Sequence, residues 1–101
     1  MKYNLGLFRE DIVRCINLCK TELDNRKNGI IGESSVEQIE NTILPELNHV
    51  LERINTGKIP DLNDRYLVSF ACAFKTWGWN MQRPTELYIQ LVNLNNNYKK
   101  I

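Results

Sequence analysis

The feature that most restricts this chain is the spacing of its apolar residues, which recur every third or fourth position through most of its length. Phe8, Ile12, Cys15/Ile16, Cys19 and Leu23 fall on one face of a helix, with Glu10, Arg14, Asn17 and Asp24 on the opposite side. Arg26 and Lys27 place cations at the negative end of that helix's dipole, and Gly29 suits a left-handed cap, so the helix is predicted to stop there. Ile30-Ile31-Gly32 reads as a short apolar connector. Ser34-Ser35-Val36-Glu37-Gln38 then offers two overlapping capping boxes, Ser34 with Glu37 and Ser35 with Gln38. Val36, Ile39, Ile43, Leu47, Val50/Leu51 and Ile54 form the stripe of a second helix, ended by Asn55-Thr56-Gly57. Pro45 interrupts that stripe, and a proline inside a helix costs about 3 kcal/mol, so a kink or break is expected near Leu44.

Lys58–Asn63 reads as a loop closing on an N-cap, Asp61 or Asn63. A third helix over about Asp64–Thr76 would set Leu67, Phe70, Ala71 and Phe74 on one face. Val68, Cys72 and Ala73 make its flanks apolar too, so it is expected to be the most buried and central helix. Gly78 ends it. The fourth helix is predicted to begin at Pro84, with Leu87, Leu91, Leu94 and Tyr98 inward and the Asn93–Asn97 stretch frayed. No convincing strand remains. The expected fold is all-α: one domain over residues 1–101, a bundle of about four helices with the second kinked or broken near Pro45.

Composition removes several functions. The 101 residues carry 13 Lys+Arg against 12 Asp+Glu, a net charge of +1 that argues against bulk neutralisation of phosphates. Three cysteines make no disulfide scaffold. No stretch approaches the roughly 20 apolar residues of a spanning helix, and Arg9-Glu10-Asp11 interrupts any signal-peptide core. The cytoplasm is the expected compartment, with no membrane partner.

Residues that carry chemistry elsewhere have plainer explanations here. Cys15 and Cys19, at i and i+4, would need Cys72 and His49 to complete a four-ligand zinc site, and all three cysteines lie on apolar faces. His49 is the sole histidine, with no Ser or Cys within a few residues to act as nucleophile. Ser34 and Ser35 serve as caps, Asp61 and Asp64 flank a helix start, and Gly29 and Gly32 match no phosphate-binding motif. The expectation is a protein that is not an enzyme and holds no metal or cofactor.

The least ordinary segment is Phe70–Asn80, in which both tryptophans of the protein, Trp77 and Trp79, flank Gly78. One reading has them plug the end of the bundle; the other leaves an indole exposed beside Asn80, Gln82 and Arg83 as an interface anchor. Charge is also segregated. Residues 33–64 hold seven acids and two bases, whereas residues 65–101 hold five bases and one acid. Glu33, Glu37 and Glu40 are spaced to share a helix face, either as a solvated strip or as one that steers a basic partner. The candidate partner-binding residues are Glu33, Glu37, Glu40, Trp77, Trp79, Asn80 and Arg83.

The run Leu62–Ala71 leading into Trp77-Gly78-Trp79-Asn80, in a short chain rich in Asn and Ile, resembles small bacterial immunity proteins of polymorphic-toxin and contact-dependent-inhibition systems. That resemblance implies a cytoplasmic protein that binds and blocks one cognate toxin domain, often a nuclease with a basic active-site cleft. The alternative is a small helical nucleic-acid-binding regulator of phage or plasmid type, using Arg65, Lys75, Arg83, Lys99 and Lys100. Against it, the third helix is too apolar to read bases and the fourth carries little positive charge. A homo-oligomer meeting through the apolar flanks of the third helix is a further possibility.

Overall fold

The computed structural model describes residues 3–80 and 82–101; four helices account for the fold, and no strand occurs among the described residues. Helix α1, Leu5–Lys27, starts where the Asn4 side chain accepts a hydrogen bond from the Leu7 amide (3.0 Å). At 1.5 Å per residue it is about 35 Å long, close to the 39 Å long axis of the molecule. Phe8, Ile12, Cys15, Ile16 and Cys19 are its buried face. It stops as predicted, with Gly29 at φ +83 and the Ile30 amide donating back to the Asn25 carbonyl (2.8 Å).

Helix α2 spans 36–55 in three joined pieces: an α-turn at Val36–Gln38, a π-turn at Ile39–Ile43 and an α-helix at Leu44–Asn55. Of the two possible capping boxes, the one that forms joins Ser35 and Gln38, with reciprocal hydrogen bonds of 3.1 and 3.0 Å. The π-turn explains how Pro45 is tolerated. Shifting the hydrogen-bond ladder by one residue puts the proline in the opening turn of the next α-segment, where an amide N–H is dispensable. The expected distortion near Leu44 is therefore a bend at a join. The stripe survives it, since Ile39, Ile43, Leu47, Val50 and Ile54 are all buried.

Helix α3 departs from expectation. Leu62–Asp64 forms a separate 3-10 turn, and α3 runs over 68–76, an α-turn at Val68–Ala71 followed by a π-turn at Cys72–Thr76. Its start is fixed from outside. The Glu46 carboxylate of α2 accepts from the Val68 and Ser69 amides (2.6 and 2.8 Å), and the Asn95 side chain accepts from the Leu67 amide (2.8 Å). Nor is α3 the most buried helix. Only Ser69 and Ala73 are buried on it, while Val68 and Phe74 stand 49% and 50% exposed. The widened turn breaks the i, i+4 register on which the predicted inner face depended. Phe74 is left stacked on half-buried Phe70 at the surface, with ring centroids 6.1 Å apart.

Helix α4, Glu86–Asn97, begins two residues later than expected, with Thr85 as the cap that accepts from the Tyr88 amide (3.3 Å). Its inner face is the predicted one: Leu87, Leu91, Leu94 and Tyr98 are buried, together with Tyr88. The expected fraying is absent. Asn95 caps α3, a 3-10 turn at Tyr98–Lys100 continues the helix, and Tyr98 stacks on Phe8 with centroids 5.1 Å apart. The central element is α1, packed along both the second half of α2 and α4.

Candidate functional site

Two connectors meet at one end of the bundle: 28–35 between α1 and α2, and 77–85 between α3 and α4. Each is held by a charged side chain. Arg26, in the last turn of α1, uses all three guanidinium nitrogens: Nε donates to the Ser34 carbonyl (2.8 Å), Nη1 to the Ile30 carbonyl (2.9 Å) and Nη2 to the Glu22 carboxylate. The loop passes so close over this group that a Cβ at position 32 would meet the guanidinium, so a larger residue there would have to displace the Arg26 side chain from its present contacts. The connector is thus clasped at both ends, yet its middle side chains point away from the core. Ile30 is 54% exposed and Ile31 95%.

Glu33 ties the first connector to the second. Its carboxylate accepts from the Asn80 amide (2.7 Å) and lies 3.3 Å from the Thr85 hydroxyl. The Asn80 side chain in turn accepts from the amides of Gln82 and Arg83 (2.8 and 3.3 Å). Asn80, Gln82 and Arg83 remain exposed.

The tryptophans separate in role. Trp79 is 5% exposed, its amide donates to the Ala73 carbonyl (3.0 Å), and its ring meets Tyr88 edge-on at 5.6 Å. It belongs to the core. Trp77 is half-buried against it, centroids 5.4 Å apart, and is the indole within reach of a partner. The acidic strip is also divided. Glu33 is spent on the connectors, Glu40 sits 3.2 Å from Lys27 in an exposed pair, and Glu37 is exposed with no salt bridge among the described residues. An exposed pair of this kind is worth little, roughly 0–1 kcal/mol.

Spacing did not point to Ile30, Ile31 or Arg26. The available signal was two isoleucines between glycines, just past a helix stop and outside every apolar stripe.

Other candidate chemistry is placed as follows. Cys15 and Cys19 are both fully buried; a hydrogen bond between them and then burial itself push the Cys15 thiol up, which disfavours the thiolate that metal binding or redox attack needs. Cys72 is half-buried on α3, and no group of three or more His, Cys, Asp or Glu side chains gathers among the described residues. His49 is exposed and opens on a shallow cleft of about 270 Å³ between α2 and Tyr66–Val68, whose lining contains no Ser, Thr or Cys. Arg65, named for the nucleic-acid alternative, donates instead to the carbonyls of Pro60 and Ile101 (2.9 and 2.6 Å).

Tyr88 floors this end of the bundle with a buried hydroxyl that has no hydrogen-bond partner. Burial, then the nearby Glu33 carboxylate, raises its pKa, and burial likewise raises Tyr98 and Tyr3. A phenol that ionises less readily in the folded state contributes fully below the unfolded value of about 10, and that contribution is lost as pH rises beyond it. Tyr88→Phe is therefore expected to leave stability at pH 7 unchanged or slightly increased, and to move the midpoint of alkaline unfolding upward. Circular dichroism across the alkaline range measures this, and an unmoved midpoint would show that Tyr88 does not govern it.

No family model matches the chain, and neither the curated proteins nor the solved structures contain a match to it.

Proposed function

We propose that this protein is a binding module of the immunity or antitoxin type, a cytoplasmic inhibitor that docks the connector end of its bundle on a cognate toxin domain and blocks it. One observation carries the reading: Arg26 and Glu33 fix both connectors while Ile30, Ile31 and Arg83 stay exposed and Trp77 is half-exposed. A surface ordered before binding avoids the entropy of ordering on contact, roughly 0.5–1.5 kcal/mol per immobilised side chain. Its residue types are also those that dominate interface energy, a tryptophan and an arginine beside aliphatic anchors. Nothing in this role calls for a catalytic group or cofactor, and three unpaired cysteines suit a reducing compartment.

The test is co-expression with the product of the neighbouring reading frame, where a stable 1:1 complex and loss of that product's toxicity are expected. Within such a complex, Glu37→Lys with Glu40→Lys should slow association about tenfold at low salt if the acidic residues steer a basic partner. An unchanged association rate would remove the steering role and leave the connectors as the sole determinant.

A further inference from the structure

The two connectors precede α2 and α4; where α2 and α4 finish and α3 begins, the bundle has a different kind of surface. Two clefts of about 270 and 450 Å³ open there, and His49 and Arg53, one turn apart on α2, line both. The proposed inhibitor role uses neither cleft.

The smaller cleft has a built floor. Tyr98 lines it although only 3% exposed, its ring held by the stack on Phe8. The charges that act on its hydroxyl are those of Arg53, Arg65 and Glu46, and Arg53 and Glu46 share the lining of the cleft. Two of the three are already engaged. The Val68 and Ser69 amides take up the Glu46 carboxylate, and the carbonyls of Pro60 and Ile101 take up the Arg65 guanidinium. What remains is a guanidinium with no ion pair among the described residues, beside a phenol able to donate. Two cations against one anion favour a negative group at this floor, and the planar fork of an arginine matches the oxygens of a phosphate.

The walls indicate what the phosphate is attached to. Tyr66, 54% exposed, lines the same cleft with Pro60, Val50 and Val68, an aromatic and aliphatic surface suited to a flat ring. Asp64 also lines it and would repel a bare anion, but its carboxylate can accept from ring N–H groups. The larger cleft adds Lys58 beside Arg53, with Glu52 as its one acid. The two clefts together have the size of small-molecule sites, roughly 300–1,000 Å³.

We propose that this end of the bundle binds a purine nucleotide, its phosphate on Arg53, His49 and the Tyr98 hydroxyl and its base against Tyr66 and Asp64. Guanine suits Asp64, because its ring N–H and its amine are adjacent donors for the two oxygens of one carboxylate. Both clefts are open to solvent, so binding is weak, with a Kd of roughly 0.1–1 mM.

Titration of the purified full chain with guanosine 5′-monophosphate, followed by amide chemical shifts, tests the site. Saturable shifts are expected around His49–Arg53, Asp64–Val68 and Tyr98, with guanosine and inorganic phosphate each bound about tenfold more weakly or worse. Arg53→Gln, at an exposed position, should weaken the nucleotide roughly tenfold or more. Tyr98→Phe keeps the ring and its stack on Phe8, so it should weaken the nucleotide several-fold without lowering Tm. Tyr66→Ala should weaken the nucleotide and leave inorganic phosphate as it was. The absence of saturable shifts at about 10 mM nucleotide would overturn the proposal. So would a nucleotide affinity indifferent to Arg53→Gln, or phosphate bound as tightly as the nucleotide, which would mean an adventitious ion only.

Discussion

Trp79→Ala is expected to cost the fold about 3–5 kcal/mol, the range for deleting a large buried aromatic. The side chain is 5% exposed and packs edge-on against Tyr88 where α3 passes into α4, so its removal leaves a cavity that two flanking helices would have to collapse to fill. For a domain of this size the fall in Tm should be roughly 15 °C or more, read by thermal circular dichroism. Trp77→Ala, at the half-buried partner ring, should cost much less. The comparison also decides between the two readings of the aromatic pair. A Tm for Trp79→Ala within a few degrees of the parent would mean that its burial contributes little and would return it to the surface as an anchor.

The second large effect is expected at Glu46. Its carboxylate accepts from two consecutive amides, Val68 and Ser69, and so stands in for an N-cap that α3 does not supply from its own sequence. Hydrogen bonds to a charged group contribute about 1.5–3 kcal/mol, and partial exposure lowers what two of them deliver, so Glu46→Ala should lose about 2 kcal/mol. Glu46→Gln keeps one acceptor and should lose less. Amide exchange gives the sharper reading. Val68 and Ser69 should exchange faster in Glu46→Ala while the amides of α1 keep their protection. Unchanged exchange at those two positions would show that α3 is held by packing alone.

Glu46 also marks where sequence reasoning ran out. The stripes on α1, α2 and α4 were legible because each depends on residues three or four apart, and local stop and start signals such as Gly29 and the Ser35–Gln38 box did what short-range chemistry predicts. The boundary of α3 was missed by four residues because its caps arrive from Glu46 and Asn95, between 22 and 28 positions away in the chain. Its burial was overestimated for a related reason. An i, i+4 pattern reports an inner face only if the backbone turns as an α-helix, and Cys72–Thr76 does not.

At the candidate site the residue types were legible and their roles were not. Glu33 looked like one member of an acidic strip, yet it is the tie between two connectors, a role visible only once Asn80 and Thr85 are brought beside it. Trp79 and Trp77 are two residues apart and differ in exposure because Tyr88, from another helix, covers one of them. Ile30 and Ile31 were counted as connector because hydrophobicity alone says nothing about which side of a loop faces water.

That loop has a consequence for how such a protein can change. Its path is set by Arg26, Glu22 and the two glycines at 29 and 32, through backbone carbonyls and a positive φ. None of those interactions consults the side chains at 30 and 31. For the proposed binding role this separates framework from contact surface: the two adjacent isoleucine codons can change the face offered to a partner while every residue that keeps the bundle folded stays as it is.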